Sequence, residues 1–438
     1  MTHSRPIAAL AGVVTAALLA GCSTSAPAPN ESAAGSPTAG GTTGGSTITF
    51  MVFETPALGA SFWDTSIDRA LTNLPGVTVN KIVSPDADRN AYAKQLQASG
   101  QFPDVLSSIN PKDFLDAGLL QAFDQSWLDA NFLQPNGNAI AGKTYIPPTN
   151  SQIIPLVYYN KKIFADNNLT PPKTWAEFMD AVAKLKAAKV TPIELAGAEP
   201  WAASMPLVGL ASADVLGQDP QWIQKRFDGQ VKFADPLFAN AMQKAVDLVK
   251  AGAYDSAALS VDFATANKNF LDGKSAMYPQ GSWFTGSSYI TAEQAANIGA
   301  FPWPTDDGKV VIPFNMGGTT SVSSQSKAVG DAVAFAQAWS LAPENLKVLI
   351  ETDGAYPMMK SLTLDDFGAS VNPLYTETYS LVTADNTKAS AFGWVNNDDA
   401  LAPGLNDAFY ALAQAFFSNS NVAAQMKQLD SDWDQATK

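Results

Sequence analysis

Histidine and cysteine are almost missing from this chain. Of 438 residues one is histidine, His3, and one is cysteine, Cys22. Both precede every segment patterned for folding. A Ser-His-Asp triad is thereby excluded from the folded body, together with thiol catalysis and thiolate metal centres. Zinc and copper are poorly held without imidazole or thiolate, so neither a metal nor a cofactor is expected. The phosphate-binding patterns GxxxxGK[ST] and strand-GxGxxG are absent as well. Charge is sparse, at 16% of residues, and unbalanced: 27 Lys and Arg stand against 41 Asp and Glu, a net charge of −14. Such a surface repels nucleic acid and offers no basic patch for anionic lipid. The scarcities leave paired carboxylates untouched, and a glycosidase needs only two of them.

What is present is 46% hydrophobic, enough for a large core and two domains of ordinary size. The first residues read as a processing segment. Arg5 supplies a positive start, and residues 7–20 form an apolar run too short to span a bilayer. The run ends in Leu19-Ala20-Gly21-Cys22, which resembles the bacterial lipobox. That resemblance implies a signal peptide over 1–21, lipid on Cys22, and anchorage at the outer face of the cell membrane. Residues 22–46 are rich in Ser, Gly, Pro, Thr and Ala and carry one charge, Glu31. They bury too little to fold, and predict a flexible tether with an end-to-end distance of roughly 25–30 Å.

From Thr47 the pattern alternates. Strands are predicted over 47–53, 77–83, 103–108 and 153–159, and helices over 62–74 and 89–99. Alternation of this kind predicts a mainly parallel sheet covered by helices. Thr174-Trp175-Ala176-Glu177 is a capping box, followed by Phe178, Val182 and Leu185 on one helical face. Asp235-Pro236 opens a further helix that Gly252 closes. Val422, Met426, Leu429 and Trp433 form one apolar stripe, read as core. Pro155 interrupts its strand, a break that suits a hinge crossing.

Several motifs, in order, resemble those of the carbohydrate-type extracellular solute-binding proteins of bacterial ABC importers, the family of maltose-binding-protein-like lipoproteins. Gly100-Gln101-Phe102-Pro103-Asp104-Val105 is similar to the family's Gly-x-x-Pro-Asp-Val strand. Tyr158-Tyr159-Asn160 and Pro171-Pro172-Lys173-Thr174-Trp175 follow, then Gly197-Ala198-Glu199-Pro200-Trp201. Phe270-Leu271-Asp272-Gly273-Lys274 leads into Gly281-Ser282-Trp283, and Gly317-Gly318 and Gly354-Ala355-Tyr356-Pro357 come last. Each motif is weak alone; their order over residues 47–438 is specific.

The resemblance implies an α/β, two-lobed periplasmic-binding-protein fold of type II with a ligand cleft between discontinuous lobes. One lobe is expected at 47–157 plus 302–354, the other at 158–301 plus 355–438, with crossings near Pro155 and 301–304. Ligand groups are expected just after strands, at their carboxyl ends. Trp283 is the expected platform for a sugar's apolar C–H face, with a core tryptophan as the alternative. Trp201 would complete a sandwich, and Glu199 would accept from two hydroxyls or else serve a helix N-terminus. Glu54 ends the first strand and either points into the cleft or is a solvated turn residue. Asn110 either bonds a hydroxyl or caps the helix opening at Pro111. Asn315, Gly317 and Gly318 approach the ligand or form a tight turn. Gln152, Tyr356 and Asp398 complete the candidate set. The expected function is reversible capture of a sugar by a monomer, without catalysis, and delivery to separate ABC permease subunits. A polyamine or other cation binder and a lipid-anchored glycosidase are the rival readings.

Overall fold

The computed structural model describes residues 45–54, 58–85 and 89–438. The signal peptide, Cys22 and the tether up to residue 44 lie outside the described residues. No helix among the described residues is long and apolar enough to cross a membrane.

Three sheets carry the frame. The first orders its strands Val77–Val83, Ser46–Val52, Val105–Ser107, Thr320–Ser323 and Leu120–Gln121. The second runs Ile298–Phe301, Leu156–Asn160, Ser275–Gln280 and Thr191–Ile193. The third runs Tyr356–Pro357, Asn150–Ile153, Val311–Gly317 and Thr387–Ser390. This third sheet links the other two. Asn150–Ile153 continues past Pro155 into Leu156–Asn160 of the second sheet, and Val311–Gly317 continues into Thr320–Ser323 of the first. The single strand expected over 153–159 is therefore two strands in two sheets.

The sheets are mixed rather than mainly parallel. Ser46–Val52 pairs in parallel with both neighbours, but Thr320–Ser323 runs antiparallel to both of its own. In the second sheet Leu156–Asn160 is antiparallel to both neighbours. The reason is topological. Parallel pairing needs a crossover connection, whereas Leu156–Asn160 and Thr320–Ser323 enter their sheets from the third one and meet their neighbours head to tail.

Local signals account for the helices. Thr174 accepts from the Glu177 amide at 3.2 Å and Glu177 accepts from the Thr174 amide at 3.2 Å, closing the capping box of Trp175–Ala187. A second amide, that of Lys173, donates to Glu177 at 2.7 Å, and these bonds hold the Glu177 carboxyl below its usual range. Pro236–Ala251 ends on Gly252 at φ 69°, a left-handed turn that glycine adopts without cost. In Val422–Ala436 all four stripe residues are buried. Aromatic packing joins helices to the first sheet: Phe50 lies edge-on to Trp63, Phe335 and Trp339. Trp63 and Trp339 stack at 5.6 Å, drawing Ala60–Leu71 and Val329–Leu341 together.

Candidate functional site: a cleft over the crossing strands

Alternation along the third sheet builds the floor of a cleft of about 890 Å³. Successive strand side chains point to opposite faces, so Asn150 and Gln152 face the same way. Across the ladder Gln152 pairs with Asn315, and Asn150 with Gly317. All four line the cleft. The floor is thus a patch of amides flanked by a glycine. Gly317 is required by its neighbour: a Cβ there would lie 2.1 Å from the Asn150 side-chain oxygen. The Asn315 side-chain oxygen is buried without a hydrogen bond from any described residue.

A carboxylate stands beside this floor. Asp353 is the last residue of the helix Pro343–Asp353 and lines the cleft. The Gln152 amide donates to its carboxylate at 3.3 Å and to its carbonyl at 3.2 Å. Close backbone packing fixes its position. Gly354 turns left-handed at φ 55°, and a Cβ there would lie 2.1 Å from the Ser282 carbonyl. Desolvation raises the Asp353 carboxyl to about 7, and the bond from Gln152 opposes the rise.

One wall is aromatic. Trp201 and Trp394 line the cleft, with ring centroids 6.2 Å apart and planes at 72°. Trp283 packs behind both, 6.2 Å from Trp201 and 5.5 Å from Trp394. It is only 8% exposed, and its indole N–H donates to Gln280 at 3.2 Å. Trp394 is aimed by a left-handed turn at Gly393, φ 77°. The Gly393 carbonyl accepts from Tyr410 at 2.7 Å and from Asn406 at 2.9 Å.

The facing wall, beside the first sheet, is polar with an aromatic base. The Arg89 guanidinium sits 4.3 Å above the Phe53 ring. Asp113 accepts from Asn90 at 2.9 Å and Lys94 at 2.7 Å. Asn110 also lines the cleft, while its side-chain oxygen accepts from the Lys112 amide at 3.1 Å.

The structure brings Asn110, Gln152, Trp201, Asn315, Gly317 and Gly318 to the cleft surface. The other candidates sit elsewhere. Glu199 accepts from the Phe263 amide at 2.8 Å, at the start of the helix Phe263–Leu271. Glu54 is exposed beyond the end of Ser46–Val52. Tyr356 is fully buried against Tyr375 and Tyr379. Asp398 lies outside the lining and accepts from the Ala141 amide at 2.9 Å. Trp394, Asp353 and Asn150 escaped the sequence reading. For Trp394 a signal existed: glycine followed by tryptophan, as in the Gly281-Ser282-Trp283 turn. Asp353 carried none.

Two sheets bridged by crossing strands, with a cleft above the crossing, define a two-lobed solute-binding protein. The chain belongs to the bacterial extracellular solute-binding protein family, whose model matches residues 68–374. It is 24% identical over 283 residues to an ABC transporter extracellular-binding protein of Pyrococcus horikoshii, a match spanning 64% of this chain and 60% of that relative. It is 24% identical over 372 residues to the Multiple sugar-binding protein of Streptococcus mutans, spanning 76% of this chain and 83% of the relative. Its fold resembles that of a chitin oligosaccharide binding protein, with a TM-score of 0.75 at 21% identity, covering 90% of this chain and 99% of the other.

Proposed function

We propose that the chain captures a sugar or oligosaccharide reversibly in this cleft and delivers it to the permease of an ABC importer, without covalent chemistry. The observation that carries the reading is the pairing of the Trp201–Trp394 wall with an amide floor. A sugar ring has apolar C–H faces and a hydroxyl edge. Indole faces suit the first, and amides, which both donate and accept, suit the second. The Multiple sugar-binding protein and the chitin oligosaccharide binding protein support the choice of ligand class. The charged groups of the cleft have both signs, Arg89 and Lys94 against Asp113, Asp353 and Asp407, which favours a neutral ligand over a polyamine. In this reading lobes at 47–157 plus 302–354 and 158–301 plus 355–438 close on the sugar as the crossing strands flex.

The test is a thermal-shift screen of the full chain against neutral sugars and polyamines. Ligand at 100 times its Kd adds about 2.7 kcal/mol of stability, a clear rise in Tm. A rise with polyamines alone would replace this reading with the cation one.

Anchoring by lipid on Cys22, at the outer face of the membrane, belongs to the same proposal. Cys22→Ser is expected to move the protein from the membrane to the soluble fraction while its Tm stays unchanged. Full membrane retention of the variant would reject the anchor.

A further inference from the structure

Asp353 occupies a position that works against its charge. It closes the helix Pro343–Asp353, where the helix dipole presents its negative end. It is partly buried in the cleft wall, and among the described residues its carboxylate receives one neutral donor, Gln152 at 3.3 Å. No salt bridge reaches it among the described residues. Yet it is rigidly placed. Gly354 and Gly286 let the helix end press against the segment around Ser282: a Cβ on Gly286 would meet the Thr352 carbonyl at 2.2 Å. A carboxylate held in an unfavourable setting by close packing points to a task performed when the cleft is filled.

We infer that Asp353 is a ligand-anchoring residue: with Gln152 and Asn315 it forms a hydroxyl-reading corner in which the Asp353 carboxylate accepts from a pair of sugar hydroxyls. The inference rests on the sugar-binding reading above and deepens it. The corner's geometry fits. Gln152 and Asn315 are opposed across the strand ladder and both line the cleft, and Asp353 presents acceptor sites beyond the one Gln152 uses. Adjacent hydroxyls of a pyranose bring two donors to such a set, and bonds to a charged acceptor are the strong ones. The neighbouring indoles of Trp201 and Trp394 then receive the ring face.

The ligand-bound state needs the ionised carboxylate, so binding and deprotonation are linked. Desolvation pushes the free carboxyl up to about 7, and hydroxyl donors in the complex stabilise its charged form. Affinity is therefore low below that value and rises as pH passes through it. The other titratable or charged groups lining the cleft are Arg89, Lys94, Asp113, Asp407 and Tyr410, whose phenol burial pushes well above its usual range, and Tyr289 lies within electrostatic reach of Asp353. The Tyr289 phenol is pushed up to about 12, by desolvation first and the Asp353 charge second, so it stays neutral through this window.

The experiment is calorimetric titration of the full chain with chitobiose, raffinose and maltotriose, for the natural sequence and for Asp353→Asn. For a sugar that binds, the natural chain is expected to gain about tenfold in affinity from about pH 6 to about pH 8. Asp353→Asn keeps the shape but turns one acceptor into a donor. It is expected to weaken binding about tenfold at the higher pH and to flatten the profile. If none of the sugars binds the natural chain, the sugar reading fails and takes this inference with it. If a sugar binds the natural chain with a flat or falling profile, or binds Asp353→Asn equally well, the inference alone is overturned. The profile of the natural chain decides the matter even if the variant folds poorly.

Discussion

Trp394→Ala is expected to weaken sugar binding tenfold or more while leaving the fold intact. The ring is half-buried and forms cleft wall, so its removal takes away contact surface without hollowing the core. An aromatic face covered by ligand contributes about 1.5–3 kcal/mol, which is roughly tenfold to 150-fold in Kd. Trp201→Ala is expected to have a similar effect, and the double variant less than the sum, because both rings would press on one ligand. Trp283→Ala should behave differently. That ring supports the other two from behind, so its loss should lower Tm and reach affinity only through the displaced wall. Calorimetry and thermal melts of the same four proteins separate these effects. Unchanged affinity in both the Trp394 and Trp201 variants would remove the aromatic wall from the account.

Far from the cleft, Asp430→Ala should destabilise the fold by about 3 kcal/mol. The Asp430 carboxylate, on Val422–Ala436, accepts from the amides of Phe233 at 2.8 Å and Ala234 at 3.1 Å. It also lies 3.3 Å from the guanidinium of Arg226, which is 4% exposed and flanked by the rings of Trp433 and Phe233. Removing the carboxylate strands two main-chain donors and half-uncovers a buried cation, whose remaining partners are the exposed Asp434 at 2.8 Å and the main-chain carbonyl of residue 430 at 3.4 Å. Asp430→Asn keeps an acceptor for one amide and should lose less. Denaturant unfolding measures both, and sugar affinity of the folded fraction should be unaffected. A loss for Asp430→Ala below about 1 kcal/mol would mean that the cluster relaxes easily.

The parts legible in the sequence are those encoded over short spans. The capping box at Thr174, the Pro236–Ala251 helix with its Gly252 stop, the strand at Val77–Val83 and the buried stripe of Val422–Ala436 all carry their causes within one element. Pro155 also signalled its break locally. The mixed pairing of the sheets was not legible, because strand direction depends on where the chain returns after hundreds of residues. The site divides in the same way. Asn315 and Gly317 followed from the family resemblance, which places ligand groups at strand ends. Trp394 and Asp353 reach the cleft through a left-handed turn and a helix end packed on a distant glycine. Glu199 shows the converse: its motif fits either a ligand contact or a helix N-terminus, and the structure engages the carboxylate with the Phe263 amide at the start of Phe263–Leu271.

The amide floor also constrains how this protein can diversify. Its identity depends on a two-residue repeat along Asn150–Ile153 and Val311–Gly317. Loss or gain of one codon in either strand would shift the register and turn Ser151, Ile153, Phe314 or Met316 toward the cleft in place of the amides. Descendants with new cargo preferences should therefore differ by replacement at Asn150, Gln152, Asn315 and Asp353, at constant strand length. Length changes should collect in the irregular stretch that presents Trp394, where an added residue lengthens a loop without inverting a face.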